Sequence, residues 1–376
     1  MSQTQITFRY LSEPDAIAAG VTDMPACVDA MEEMFACLGA GDYRMAGADG
    51  NSHGAMVTFP ETSPFPNMPV DGPDRRFMAM PAYLGGPFDL AGMKWYGSNV
   101  ANREKGQPRS ILMFTLNDKD TGAPLMVMSA NLLSAYRTGA VPGVGARYLA
   151  SPDATVAGII GPGVMGRTGL EAFVAARPTL TTVKVLGRGQ ASLDEFQRWT
   201  KETFPQLEVY VVDSVEECVT DTDVINVGTS SPAGSANYPY LKEEWLKPGA
   251  FVSVVGFSKF DTDFLLERSY NVVDNSGLYS TWAEEYPYPT WELIGLAGCQ
   301  MWDLVTEGKL DPATVTDLAD LVRGTAARTP APEQVRILGV GGMPIEDIAW
   351  ASRVYANAVQ KNIGTELLLW DSPALA

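Results

Sequence analysis

The chain has a single histidine, His53, and only four cysteines, Cys27, Cys37, Cys218 and Cys299, in 376 residues. The cysteines lie far apart with no Cys-x-x-Cys pair, so neither a zinc-ligand set nor a disulfide framework is suggested, and reduced thiols in a cytoplasmic setting are expected. His53 sits in an Asn-Ser-His-Gly stretch with no visible partner and reads as a turn residue, not a catalytic base. No apolar run is long enough to cross a bilayer, and the opening residues lack a basic segment followed by an apolar one, so the chain is read as neither membrane-embedded nor exported. Positive charge is scarce as well. The 27 Lys and Arg face 45 Asp and Glu, a formal net charge of -18, which repels phosphate backbones and anionic lipid and argues against nucleic acid or a membrane surface as partner. A small anionic ligand stays compatible, because a few cations in a closed cleft dominate the local potential.

What is present suggests two ordinary globular domains. The length exceeds that at which one core usually stops growing, and 46% hydrophobic against 19% charged residues lies far from the composition of disorder. A strand is expected at Thr7–Leu11, and apolar residues at three- and four-residue steps predict a helix from Met24 to Leu38. Glycine and proline punctuate 39–90 around short strand-like pieces. AGMKWYGS, SILMFTLND and PLMVMS then read as a sheet meander, with turn chemistry in DKDTG. NLLSAYRTGAVPGVGARYLA is helical and is broken by Ser151-Pro152. Beyond it the strand-like TVAGII, TVKVLG, EVYVV, DVINVG, AFVSVVG and YNVVD alternate with helical stretches, the pattern of a parallel sheet covered on both faces. Residues 344–364 read as one helix ending at a glycine and packing back on the N-terminal sheet.

Gly161-Pro162-Gly163-Val164-Met165-Gly166 fits GxGxxG, directly after a strand, opening a helix, and followed by a second strand that ends at Leu186. In that context the first glycine permits the tight turn, the second lets backbone approach a pyrophosphate, and the third lets helix and strand pack closely. The helix start adds amide donors and partial positive charge, so Gly161, Gly163, Val164, Met165 and Gly166 are expected to bind a dinucleotide. The second strand ends in Leu186-Gly187-Arg188 without the acidic residue that accepts from a ribose 2′-hydroxyl. Arg188, with Ser192 nearby, suits a 2′-phosphate, so NADP(H) is preferred and NAD(H) remains possible; Arg188 also reads as a solvated loop arginine. Thr229 and Ser230 end the strand DVINVG, where they either line the cofactor cleft or act as cap and turn residues.

The segments MKWYGSNVANREKGQPRSILMFTLND, SAYRTGAVPGVGARYLA, GIIGPGVMGR, KPGAFVSVVG and GMPIEDIAWASRVYANA resemble the ornithine cyclodeaminase and mu-crystallin family over nearly the whole chain. The resemblance implies an α/β fold in which a Rossmann dinucleotide-binding domain, placed at 136–330, is inserted into a second, α+β substrate-binding and dimerisation domain made of 1–135 and 331–376. It also implies a homodimer and chemistry at the α-carbon of a small amino or imino acid. By the same resemblance Lys94 and Arg137 bind the substrate carboxylate and Arg44 completes the cluster. An arginine fork suits a carboxylate, and a lysine in an apolar cleft can exchange protons; equally, Arg137 can cap a helix and Lys94 can snorkel from a strand. Where cyclodeaminases carry an aspartate after the VxG strand, this chain has Ser258, with Asp261 and Asp263 soon after. The expectation is therefore an NAD(P)H-dependent oxidoreductase acting on a C–N bond, interconverting an α-imino (ketimine) acid and an α-amino acid. The alternatives are a redox-neutral, ammonia-releasing lyase of the ornithine cyclodeaminase type and a non-catalytic NADPH binder of the mu-crystallin type.

Overall fold

A computed structural model describes residues 4–375, which form two compact units. The first gathers the described residues up to Asp23, Ala40–Tyr136 and those from Met343 onward; the second comprises Met24–Gly39 and Arg137–Gly342.

The first unit is built on one sheet. Its strands are β1 (Ile6–Leu11), β2 (Tyr43–Met45), β3 (Ala55–Val57), β4 (Arg76–Leu84), β5 (Leu90–Ser98), β6 (Ser110–Asp118), β7 (Pro124–Ser129) and the C-terminal strand Thr365–Trp370. The order is C-terminal strand, β1, β7, β6, β5, β4, β2, with β3 also on β4; only β1 and β7 run parallel. Strand alternation sends Met78, Met80, Leu84, Phe114, Leu116, Met126 and Met128 to a buried inner face. The helix Pro344–Gln360 covers this face with Ile345, Ile348, Ala349, Trp350, Ala351 and Val354. Its start is fixed by Pro344 at the first turn and by Glu346, whose carboxylate accepts from the Met343 N–H at 3.0 Å. Trp350 donates its indole N–H to the Val21 carbonyl at 3.0 Å.

The helix expected to run to Gly364 stops at Gln360, and an unanticipated strand follows. All of Thr365–Trp370 is exposed, so its TELLLW run lacks the alternation by which a half-buried strand shows itself in sequence.

The second unit carries an eight-stranded sheet of β8 (Val156–Ile160), β9 (Thr182–Leu186), β10 (Glu208–Val211), β11 (Val224–Val227), β12 (Phe251–Val254), β13 (Ser269–Val273), β14 (Thr316–Asp317) and β15 (Val335–Gly339). Every pairing is parallel and the order is β10, β9, β8, β11, β12, β15, β13, β14, so the chain moves outward in opposite directions from β8. That reversal between β9 and β11 is the switch point at which open α/β sheets bind ligands.

Two of the expected boundaries differ. β15 belongs to this second sheet, hydrogen-bonded between β12 and β13, and so does not start the C-terminal part of the other domain at 331. The helix Met24–Ala40 groups, up to Gly39, with the second unit, because it buries Cys27, Val28, Met31, Met34 and Phe35 and because Asp29 and Glu32 ion-pair with Arg147. Short-range pattern shows that a segment is helical but not which core takes its apolar face.

Candidate active site

The glycine loop joins β8 to the helix Val164–Ala176. Gly161 has φ +102°, and a Cβ there would lie 3.0 Å from the Gly228 carbonyl oxygen, so only glycine suits the turn. At Gly166 a Cβ would come within 2.0 Å of the Gly161 carbonyl oxygen, which sets the close seat of helix on loop. Gly163 is different: a Cβ there would meet nothing within 4 Å. It forms the N-cap with no side-chain capping bond, so the first amides of the helix face open space beside Val164 and Met165. This is the cradle that a pyrophosphate fits, by shape and by charge. Buried Asn226 on β11 donates its amide to the Met165 carbonyl at 3.0 Å and so holds the loop to the sheet; no motif in the sequence singles it out.

Around this cradle lie the other residues expected to bind cofactor. Arg188 is exposed just past β9 and donates from Nη2 to the Ser230 carbonyl at 3.2 Å, joining the loops after β9 and β11. Ser192 is exposed in the first turn of the helix Gln190–Thr203. Thr229 donates its hydroxyl to the Phe257 carbonyl at 3.3 Å, tying the loop after β11 to that after β12.

Ser258 lies in that last loop and is fully buried, and its Oγ has no hydrogen-bond partner among the described residues. Its backbone, by contrast, is held on both sides: its N–H donates to the Gly295 carbonyl at 2.8 Å and its carbonyl accepts from the Trp291 indole N–H at 3.1 Å. The aromatic stretch around Trp291 thus has a mechanical role. Asp303 accepts from the Thr290 and Trp291 amides at 3.0 and 2.9 Å, and Glu292 accepts from the Ser235 hydroxyl and amide at 2.6 and 2.7 Å. Tyr238 packs edge-on against both Phe257 and Trp291. One short segment therefore fixes the loops at the C-terminal ends of both β11 and β12. Asp261 and Asp263 do not take Ser258's place: they line a surface hollow of about 540 Å³ with Glu243, Glu244 and Arg268, and Asp261 accepts from the Tyr240 hydroxyl.

Arg137 is buried, with 4% exposure. A Cβ on Gly342 would lie 2.7 Å from its Nη1, so the guanidinium rests against bare backbone. That backbone is anchored by Asp274 at the end of β13, whose Oδ2 accepts from the Gly341 and Gly342 amides at 2.7 and 2.9 Å. Complete burial pushes the Asp274 carboxyl up to about 6, against the pull of those amide bonds.

In the other unit, Lys94 stands on the buried inner face of β5. Its Nζ lies 2.8 Å from Asp347 Oδ2 on the C-terminal helix and donates to Ser134 Oγ at 3.2 Å. Arg44 is not brought to it. Arg44 pairs with Tyr83 whereas Lys94 pairs with Met80, and side chains of paired residues share a face, so Arg44 points to the opposite side of the sheet. There it is exposed and bonds to the Gly41 and Tyr43 carbonyls, which corrects its expected place in a carboxylate-binding cluster. Among the described residues no group of His, Cys, Asp and Glu is arranged to hold a metal ion.

A family model described as ornithine cyclodeaminase/mu-crystallin matches residues 20–362. The chain belongs to this family. It is 28% identical over 298 residues to N-((2S)-2-amino-2-carboxyethyl)-L-glutamate dehydrogenase of Staphylococcus aureus, covering 78% of this chain and 82% of that protein. It is 28% identical to alanine dehydrogenase of Archaeoglobus fulgidus over 294 residues, 77% of this chain and 82% of the relative. Among solved structures, Δ1-pyrroline-2-carboxylate reductase of Thermococcus litoralis, in complex with NADH and L-proline, superposes with TM-score 0.77 at 23% identity, over 95% of this chain and 99% of that one. Family membership and this likeness agree with the fold expected from the sequence, a Rossmann domain with a second domain built from both ends of the chain.

Two outcomes follow from the geometry. Gly163→Val places a side chain where nothing blocks it except a bound phosphate, so dinucleotide affinity measured by fluorescence titration drops at least tenfold while the melting temperature stays near wild type. Asp274 binds its proton more tightly folded than unfolded, so the stability it contributes is present below about pH 4 and is lost as pH rises through about 6. The difference in stability between wild type and Asp274→Asn, from urea denaturation, should accordingly shift against the wild type across that interval; a constant difference contradicts the burial argument.

Proposed function

We propose that the chain is an NADP(H)-dependent oxidoreductase that interconverts an α-imino acid and an α-amino acid. The observation that carries this reading is Ser258, a buried hydroxyl with no hydrogen-bond partner among the described residues, fixed at the C-terminal edge of the parallel sheet where cyclodeaminases place an aspartate. A hydroxyl cannot act as a comparably strong base near neutral pH, which disfavours the ammonia-releasing lyase, but it can bond to a ligand's polar atom. The dehydrogenase names of the relatives agree with this reading.

A bound nicotinamide supplies or accepts a hydride at the substrate α-carbon. The chain's own residues supply orientation and electrostatics. The glycine loop and helix start hold the pyrophosphate, and Arg188, with Ser192 nearby, meets the 2′-phosphate that makes NADP(H) the preferred cofactor over NAD(H). Arg137, backed by the Asp274-anchored loop, binds the substrate carboxylate, as does Lys94.

The assembly is proposed to be a homodimer. On the outer face of the first sheet, Phe77, Met93, Trp95, Ile111 and Met113 are 36–51% exposed, and Phe77 stacks on Trp95 at 5.8 Å between ring centroids. Contiguous apolar surface of this kind marks a protein interface, and a second copy covers it by twofold symmetry. Trp95→Glu puts a charge in that face and should shift the protein to monomer in sedimentation velocity; an unchanged species would rule the face out.

The catalytic reading is tested by incubating the enzyme with a cyclic α-imino acid and following cofactor absorbance and ammonia together. NADPH should be oxidised in proportion to amino acid formed, in preference to NADH, and Arg188→Asp should weaken or reverse that preference. Ammonia and proline released from ornithine without net cofactor change would establish the lyase instead, and NADPH binding without turnover of any imino acid would establish a binder.

A further inference from the structure

Lys94 is placed as an ammonium should not be unless something compensates it. It is 2% exposed and is flanked on the inner sheet face by its paired neighbours Met80 and Phe114, with Met78 and Leu116 further along. A lysine in such surroundings without a counter-charge gives up its proton, because burial penalises the charged form. Here the C-terminal helix lays Asp347, itself 0% exposed, within 2.8 Å.

The other charged groups near this layer have contacts of their own. Glu346 accepts from the Met343 N–H, and Arg353 lies over the Phe88 ring. Arg76 pairs with Asp74 at one end of the sheet, and Asp118 accepts from Thr121 in the turn at the other end. Asp15, on the short helix beside β7, bonds Ser12. Asp347 and Ser134 reach the Lys94 Nζ directly.

We propose that Asp347 is a positioning residue that fixes Lys94 as a permanent ammonium, so that Lys94 serves as a fixed cationic anchor and not as a proton carrier. This reverses the expectation of a proton-exchanging lysine. That the anchor's ligand is the substrate carboxylate rests on the function proposed above; that Asp347 keeps Lys94 charged does not. No electron or group transfer is involved, only the retention of one proton on Nζ.

The charge state is therefore read first without substrate. In protein labelled with ¹³C at the lysine ε-carbon, the Lys94 resonance is assigned by its loss in Lys94→Met and followed from about pH 6 to about pH 9, below the ordinary lysine range near 10.4. The wild-type signal should not move. In Asp347→Asn, which keeps the shape but removes the charge, the signal should titrate inside that interval, and Asp347→Glu should restore the flat response. An unchanged far-ultraviolet circular dichroism spectrum and a cooperative melting transition show that the variants are folded. Titration of Lys94 in the wild type overturns the proposal without recourse to any variant, as does a flat response in folded Asp347→Asn.

The second arm measures reduction of the cyclic imino acid over the same range. KM in Asp347→Asn should rise by about tenfold per pH unit once Lys94 discharges, with kcat changed much less, whereas wild-type KM stays level. A purely structural lesion would lower activity equally at every pH. If the wild type turns over no imino acid, the proposed function fails while the resonance measurement still decides the role of Asp347.

Discussion

A full charge inside an apolar layer imposes a strict condition: its partner must arrive with correct geometry or the charge is lost. Lys94 and Asp347 meet that condition from positions 253 residues apart in sequence (347 − 94), one on a central strand and the other on the helix that closes the unit. The C-terminal helix is therefore more than a hydrophobic lid. Its capped start sets the rotation that buries Ile348 and Trp350 and also delivers Asp347, so packing and electrostatics depend on the same helix register.

The second unit shows a comparable economy of means. The chain reverses direction about β8, and the turn there can exist only with glycine at Gly161 and Gly166, while at Gly163 an added Cβ would meet nothing of the polypeptide. A position where a side chain would be tolerated by the protein, inside a motif that omits one, indicates a ligand more directly than the string GxGxxG does. The aromatic stretch after β13 then stabilises what the sheet topology creates. Loops at strand ends are mobile by default, and Trp291, Glu292 and Asp303 tie two of them together through side-chain to backbone bonds. The backbone of Ser258 is thereby held still while its hydroxyl has no hydrogen-bond partner among the described residues.

The charge balance fits the same picture. A chain at -18 overall keeps its buried cations, Lys94 and Arg137, as local exceptions, each supported by a carboxylate: Asp347 directly, and Asp274 through the Gly341–Gly342 backbone. Net charge thus carries no information about the sign of the buried charges.

The sequence alone determined whatever short-range pattern encodes. Hydrophobic period located most strands and helices, and strand-turn-helix context located the glycine loop. Motif resemblance brought Lys94, Arg137 and Ser258 to notice. Tertiary structure decided the rest. Arg44 looked equivalent to the other cations until strand register put it on the opposite face, because a side chain's face depends on pairing and not on residue type. The helix Met24–Ala40 and the strand β15 changed allegiance because their apolar faces fit a core that no local window contains. Asp274 and Glu292 carried no sequence signal, and Asp347 lay in a segment of the resemblance with no role attached to it: an acidic residue is ordinarily solvated, and only the fold, by removing water and supplying a distant cation or amide, turns it into a structural necessity.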